Sequence, residues 1–265
     1  MTKWLSLTEE QRINTLNIVS ESRNGLPLAA IEKDWWVTLV LKAVFSSAYT
    51  SHLVFKGGTS LSKAWDLIER FSEDIDLAID REVLGFDNEA YSKTRVKKLK
   101  RAACSFISTE LLAAIKNSLS AQGVPLEGEP FAVMATTPAK TFLEKIFLLH
   151  EEFQKDTEKI RTYRMTRHLH DLEKVMDTGH GVDALANEKL YNDIVEHRKV
   201  FNLLNFVDHA SYGRDQLAFI PPKEVIAAWE NDYKQMQVSM FLGETISFAQ
   251  LINRMEELIT RLSGK

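Results

Sequence analysis

Cysteine is almost absent from the sequence: Cys104 is the single one among 265 residues. A lone thiol cannot form a disulfide within the chain, and a zinc site built from several cysteines is excluded. Such a composition is typical of a reducing compartment, so we expect a cytoplasmic location. Cys104 lies in a mostly apolar stretch with a helical pattern, which predicts a buried thiol.

Long apolar runs, glycine, proline and excess basic charge are also scarce. No run of about 18 uninterrupted apolar residues occurs, so we expect no membrane-spanning helix. The first residues lack the apolar segment of a signal peptide. The 11 glycines and 6 prolines exclude a collagen or a long flexible linker. A net charge of −4 excludes a basic coat over the whole surface, but it allows a local basic patch.

Hydrophobic patterning places a small sheet early in the chain and helices after it. Alternating or short apolar runs predict strands at 52–56, 74–79 and 131–135. Helical spacing predicts helices at 5–22, 28–45, 59–68, 91–119, 138–153, 160–176, 189–201, 222–236 and 248–262. We therefore expect an α/β (α+β) fold with two domains. Residues 1–137 would form a mixed-sheet core with N-terminal helices, and residues 138–265 a helical domain.

Two glycines, Gly57 and Gly58, follow the first predicted strand, and Thr59 and Ser60 then open a helix. Glycine allows a sharp turn and a close approach of a ligand to the backbone. The free N–H groups and the dipole of a helix start favour phosphate. The alternative is an ordinary turn and helix cap, which short glycine motifs often are.

Two carboxylates, Asp74 and Asp76, lie on the next predicted strand. Residues two apart on a strand point to one face, so these side chains would stand next to each other. Like charges at that distance repel each other unless a cation intervenes. Oxygen ligands of this kind suit Mg²⁺, which also takes waters and substrate phosphates. A solvated edge strand with alternating acids is the alternative.

The combination of a Gly-Gly-hydroxyl turn, a helix and an Asp-x-Asp strand resembles the nucleotidyltransferase fold of the DNA polymerase β superfamily. More narrowly, the chain is similar to the AbiEii/MenT family of toxin nucleotidyltransferases over about residues 30 to 250. The matching segments are Glu32-Lys33-Asp34, Gly57-Gly58-Thr59-x-Leu61, Arg70-Phe71-Ser72-x-Asp74-Ile75-Asp76, Glu144-Lys145, Arg167-His168-x-x-Asp171-Leu172 and Asp232-Tyr233-x-x-Met236.

This resemblance implies a set of site residues. Asp74 and Asp76 would hold Mg²⁺ or Mn²⁺, which would bridge the triphosphate of a bound NTP. Lys145 and Asp171 would complete the catalytic group. Since the third predicted strand carries no acid, Asp171 is the candidate general base. The nucleotide-binding residues would be Lys56, Gly57, Gly58, Thr59, Ser60, Arg70 and Ser72.

Basic side chains are concentrated in the predicted helix 91–119 and before Asp171. A solvated helix face is the usual meaning of such a charge run, and a phosphate track for an RNA acceptor is the functional alternative. The acceptor-binding candidates are Lys97, Lys98, Lys100, Arg101, Arg164 and Arg167.

The resemblance implies transfer of a nucleotide from an NTP to an acceptor, with release of pyrophosphate. The 3′ end of tRNA is the leading acceptor, because one known activity of the family extends it. The family also implies a toxin with a cognate antitoxin, or a role in abortive infection by phage. The alternatives are nucleotidylation of a protein hydroxyl and a catalytically weak nucleotide-binding protein that acts through its partners.

Overall fold

A computed structural model describes residues 3–23, 25–71, 74–87, 92–121, 133–202 and 204–264. The chain forms two compact units. The first comprises Met1–Ala64 and Phe71–Thr136, and the second comprises Trp65–Arg70 and Thr137–Lys265. Within the described ranges, none of the helices combines the length and the apolar character needed to cross a bilayer.

The helices of the first unit largely follow the predicted pattern. They are α1 (Lys3–Ser6), α2 (Glu9–Ser22), α3 (Leu28–Phe45), α4 (Gly57–Lys63), α5 (Lys93–Phe106) and α6 (Leu112–Ala121), with a π-helical turn (Ile107–Leu111) between the last two. A capping box between Thr8 and Gln11 starts α2. The prediction of a buried thiol is wrong, because Cys104 lies on the exposed side of α5.

The sheet of the first unit is small and mixed, as the sequence predicts. Strands β1 (Leu53–Lys56) and β2 (Asp76–Ile79) pair antiparallel, with Lys56 opposite Asp76. At its other edge β1 pairs parallel with residues 134–136. Phe55 N–H donates to the carbonyl of Met134 (2.6 Å), and Thr136 N–H donates to that of Phe55 (2.7 Å). Residues 131 and 132 of the third predicted strand lie outside the described residues.

One face of this sheet packs on the core and the other is exposed. Ile75, Leu77 and Ile79 pack against a cluster that includes Phe55 and Phe106. Strand residues alternate between the two faces. The neighbours on the opposite face, Asp74 and Asp76, are therefore exposed.

The second unit is helical. It contains α7 (Pro138–Glu152), α8 (Thr166–Met176), α9 (Gly179–Ala186), α10 (Glu188–Phe201), α11 (Ile226–Ser239) and α12 (Phe248–Ser263). Its central element is α7, which is buried along most of its length and packs against α8, α9 and α10. The sequence analysis missed α9, which Thr178 caps.

Two predicted helices differ from the structure for local backbone reasons. The predicted helix 59–68 ends at Lys63, and Asp66 further along has a positive φ of 49°. The predicted helix 160–176 begins only at Thr166, because Arg164 has a φ of 55°. An L-residue in the left-handed region interrupts a right-handed helix. These segments therefore run as loops before Arg70 and before α8.

Candidate active site

The glycine turn lies directly against one of the two predicted metal ligands. Gly57 has a φ of +78°, and a β-carbon added to it would come within 2.9 Å of Cγ of Asp76. Real Cβ contacts are essentially never so short. Only glycine therefore fits this position, both for its backbone conformation and for the space next to the carboxylate.

Hydrogen bonds from two hydroxyl groups stabilise the start of α4. Thr59 Oγ1 donates to the backbone carbonyl of Asp74 (2.6 Å), and Ser60 Oγ donates to that of Gly57 (2.8 Å). Both side chains are buried. Lys56, at the N-cap, makes no capping side-chain hydrogen bond. The turn therefore offers its first backbone N–H groups, rather than its hydroxyls, to an incoming anion.

The carboxylates of Asp74 and Asp76 suit a hard divalent cation. Both residues are exposed; Asp76 is the first residue of β2, and Asp74 lies two positions before it, ahead of the strand. In the part of the chain that the structure describes, no group of three or more histidine, cysteine, aspartate or glutamate side chains could hold a metal. Two carboxylates leave coordination positions for waters and phosphate oxygens, which is the arrangement Mg²⁺ usually takes.

A second group of predicted site residues meets inside the helical unit. Arg70 donates two hydrogen bonds to Asp171, from Nε (2.6 Å) and from Nη2 (2.8 Å). Lys145 Nζ lies 2.8 Å from Oδ2 of the same carboxylate, the oxygen that also accepts from Arg70 Nη2. All three residues are buried. The segment 65–70 thus carries Arg70 to α8, and one buried anion holds two cations in place.

This environment makes Asp171 a poor proton acceptor. Burial by itself raises the pKa of its carboxyl group, but the charges and hydrogen bonds of Arg70 and Lys145 outweigh burial and hold the pKa far below the ordinary range. A general base needs a pKa near the working pH. The geometry therefore argues against the base role suggested for Asp171 and favours a positioning role.

His168 is a neighbour of this cluster. Its Nδ1 lies 3.4 Å from Lys145 Nζ. Burial, followed by the positive charges of Lys145 and Arg167, holds the pKa of His168 well below 6.5. The imidazole is then neutral at pH 7, and its Nδ1 accepts a hydrogen bond from the ammonium group. Burial also lowers the pKa of Lys145, while Asp171 opposes this effect.

Helix α8, which carries His168 and Asp171, is fixed at its start by Asp232 from α11. One oxygen of Asp232 accepts from Arg164 N–H (2.6 Å), and the other accepts from the N–H and the hydroxyl of Thr166 (3.0 and 2.5 Å). Asp232 is buried. A carboxylate at a helix N-terminus satisfies free N–H groups and complements the helix dipole.

The remaining predicted residues lie as follows. The four cations Lys97, Lys98, Lys100 and Arg101 are exposed on α5 of the first unit, and Lys56 at the end of β1 is half-buried. In the second unit Arg164 is half-buried, with its guanidinium over the ring of Tyr163, and Arg167 is half-buried on α8. Ser72 lies outside the described residues.

Two contributions were not recognised in the sequence. His168 and Asp171 are three residues apart, so a helix places them on one face, and this spacing is a signal for His168. For Asp232, the sequence indicated only a packing and hydrogen-bonding corner of the C-terminal helices. Its contact with the start of α8 depends on a partner 66 residues away.

Comparison with known proteins identifies a family that covers most of the chain. A family model described as "Nucleotidyl transferase AbiEii toxin, Type IV TA system" matches residues 39–123 and 113–254. Neither a curated protein nor a solved structure matches the chain significantly. The family match spans the glycine turn, the paired aspartates and the cluster around Asp171. The chain belongs to the AbiEii family of nucleotidyl transferase toxins of type IV toxin–antitoxin systems.

Proposed function

We propose that the protein transfers a nucleotide from an NTP to the 3′ end of an RNA, with tRNA as the leading acceptor, in a reaction that needs Mg²⁺ or Mn²⁺. The observation that carries the proposal is the close approach of the Gly57 turn to Asp76, with the exposed carboxylate of Asp74 two positions earlier in the chain. This arrangement puts backbone donors for a triphosphate next to oxygen ligands for its metal. Family membership implies a toxin with an antitoxin partner, and we place its action in the cytoplasm.

In this reaction the residues of the first unit would bind the NTP and its metal. The acceptor hydroxyl oxygen forms a bond to the α-phosphorus, and the bond from that phosphorus to the β-phosphate oxygen breaks, so pyrophosphate leaves. Asp74 and Asp76 would hold the metal, which would supply positive charge against the leaving group. The N–H groups of the glycine turn would bind the phosphates of the NTP.

Lys145 would add a positive charge against phosphate. An ammonium group has three N–H donors, and the contacts with Asp171 and His168 account for two of them. The third can meet an anionic oxygen. Asp171 fixes the direction of this side chain and that of Arg70, so we assign it a positioning role in the reaction.

The acceptor assignment is supported by the exposed cations of α5. Four of them lie within five residues on a helix with no acid in its first turn, in a chain of net charge −4. Such a local concentration of positive charge attracts a polyanion even when the whole protein is acidic. An RNA backbone supplies phosphates in regular succession, whereas a protein hydroxyl does not.

The metal part of the proposal is tested with Asp74→Asn and Asp76→Asn. The assay is transfer of label from each of the four NTPs into extract RNA, with and without Mg²⁺. Asp80→Asn is the matched control, because Asp80 is an exposed acid further along the same strand face. We expect loss of transfer in the first two variants and retention in the control. Full turnover by either Asp74→Asn or Asp76→Asn would refute the metal assignment.

The acceptor is tested by a quadruple glutamine variant of the α5 cations. RNA labelling should weaken, and each lost phosphate contact should reduce the log–log salt slope by roughly 0.7–0.9. A charge-matched control replaces four exposed lysines of the second unit: Lys159, Lys189, Lys223 and Lys234. Label that enters protein instead of RNA would identify a protein hydroxyl as the acceptor. RNA labelling that is equally affected by both variants would refute a phosphate track on α5.

A further inference from the structure

A groove in the helical unit lies outside the residues discussed so far. It runs between one face of α10 and the segment 209–214, and its volume is about 570 Å³. Small-molecule sites in proteins occupy roughly 300–1,000 Å³. The α10 side of the groove carries Glu188, Asn192 and Lys199, and its other side carries His209, Ala210 and Arg214.

The groove has charge at both ends and a cation on each wall. Glu188 lies in the first turn of α10 and Lys199 in the last turn. At 1.5 Å per residue, their Cα atoms are about 16 Å apart along the helix. Arg214 and His209 add donor groups from the opposite wall. A ligand of this length with an anionic end matches the charges better than a small spherical ion does.

Arg214 is held in place on two sides. Its Nη1 donates to the carbonyl of Leu185 (2.7 Å), and its guanidinium lies 4.4 Å from the ring centroid of Tyr191. Its Nη2 is buried and has no hydrogen-bond partner among the described residues. A buried donor without an acceptor costs free energy, so a ligand with an oxygen or nitrogen acceptor that reached Nη2 would be favoured.

His209 repeats this pattern. Its ring is tilted against that of Tyr212, and its Nε2 is also buried without a hydrogen-bond partner in the ranges that the structure describes. Both atoms are covered from water. A ligand therefore reaches these atoms only when the half-buried side chains of His209 and Arg214 turn slightly.

From these observations we infer that the groove between α10 and residues 209–214 binds a free nucleoside monophosphate. Lys199 and His209 would supply donors for the phosphate group. Arg214, Asn192 and Glu188 would supply hydrogen bonds for the hydroxyls and the base. Inorganic phosphate would fill only a small part of the volume. The site uses none of the residues assigned to nucleotide transfer, so it stands independently of the proposed function.

The test is isothermal titration of the full-length chain with AMP in EDTA, so that binding that depends on a metal is silent. Lys199→Gln should weaken AMP binding roughly tenfold, the effect of losing one charge-assisted hydrogen bond. Lys189→Gln is the matched control. Both lysines lie on α10, and each pairs with an acid one turn away, at 2.6 Å for Lys189 and 2.8 Å for Lys199. Lys189, however, does not line the groove.

Arg214→Gln is not used as a test, because it also removes the hydrogen bond from Arg214 to Leu185 that supports the fold. A substitution at an exposed position takes its place. Ala210 is exposed and lines the groove. In Ala210→Gln the longer side chain fills the groove, so AMP binding should be lost while the helical circular dichroism stays unchanged. Absence of AMP binding, equal effects of the two lysine variants, or inorganic phosphate binding as tightly as AMP would each overturn the inference. A short oligoribonucleotide that binds more tightly than AMP, and is equally sensitive to Lys199→Gln, would identify RNA as the ligand. That result would overturn the assignment of a free mononucleotide.

Discussion

Replacing Asp171 with asparagine should destabilise the protein strongly, because the change leaves two buried cations without their anion. The side chains of Arg70 and Lys145 are only 2% and 8% exposed. Removing one partner of a buried ion pair costs about 3–5 kcal/mol. With a urea dependence of about 3 kcal/mol per molar, the unfolding midpoint should fall by about 1–2 M.

Asp177→Asn provides the comparison. Asp177 follows α8 directly and also pairs with two cations, Arg254 and Arg261, but its side chain is 58% exposed. Solvent screens such pairs, and their contribution is about 1 kcal/mol or less. Midpoints measured by circular dichroism for both variants decide the matter. Equal shifts for Asp171→Asn and Asp177→Asn would show that burial of the cluster is not the source of its stabilising effect.

The pH dependence of the same variant gives a second check. The folded-state pKa of Asp171 is depressed below the ordinary aspartate value of 3.8. The unfolded chain therefore takes up this proton first as the pH falls. The stabilisation from Asp171 is complete above about pH 5 and declines below about pH 4. The difference in stability between the wild type and Asp171→Asn should narrow over that acid range; a constant difference down to pH 2 would contradict the reasoning.

Three further predictions concern single positions. Gly57→Ala should cost more stability than Gly25→Ala in urea titrations. Both glycines have a positive φ, which costs an alanine about 1–2 kcal/mol. Only at Gly57 would the new β-carbon meet the Asp76 carboxyl group, whereas no atom of the described residues lies within 4 Å of a β-carbon at Gly25. Equal losses of stability in the two variants would contradict this reasoning. Asp232→Leu should lower the melting temperature by several degrees. It leaves the donors of Arg164 and Thr166 without their acceptor, and a buried donor without an acceptor costs about 1–3 kcal/mol of stability. An unchanged melting temperature would show that Asp232 does not stabilise the start of α8. Burial lowers the pKa of His170 to about 4, so stability should fall between pH 6.5 and pH 4 as the unfolded chain is protonated first; a His170→Phe variant that keeps the same slope there would refute this assignment.

The sequence predicted the parts of the fold and site that depend on neighbouring residues. Strand alternation was sufficient to place Asp74 and Asp76 on one exposed face. The two glycines after a strand predicted a sharp turn, and the structure shows one, in which Gly57 has a positive φ and lies against Asp76. The long basic helix is also confirmed, from Lys93 onward.

Features that depend on distant residues could not be predicted. Arg70 and Asp171 are 101 positions apart, and no local pattern says that they form a bidentate pair. The expected helix 160–176 has adequate helical spacing throughout. Its actual start at Thr166 depends on a carboxylate of α11, which satisfies the N–H groups of Arg164 and Thr166. Tertiary hydrogen bonds of this kind override local propensity.

The position of residues 65–70 also bears on the order in which the toxin can assemble during synthesis. Arg70 cannot form its hydrogen bonds until Asp171 has been synthesised, and the carbonyl of Glu69 cannot accept its hydrogen bond until Leu242 has been synthesised. At roughly 5–20 residues per second, the ribosome needs about 10–30 s to reach that second partner. Until then residues 65–70 lack the hydrogen bond to Leu242. A nascent or truncated chain that ends before Asp171 lacks the Arg70–Asp171–Lys145 arrangement altogether, so the buried charge cluster forms only after about two thirds of the polypeptide has been made.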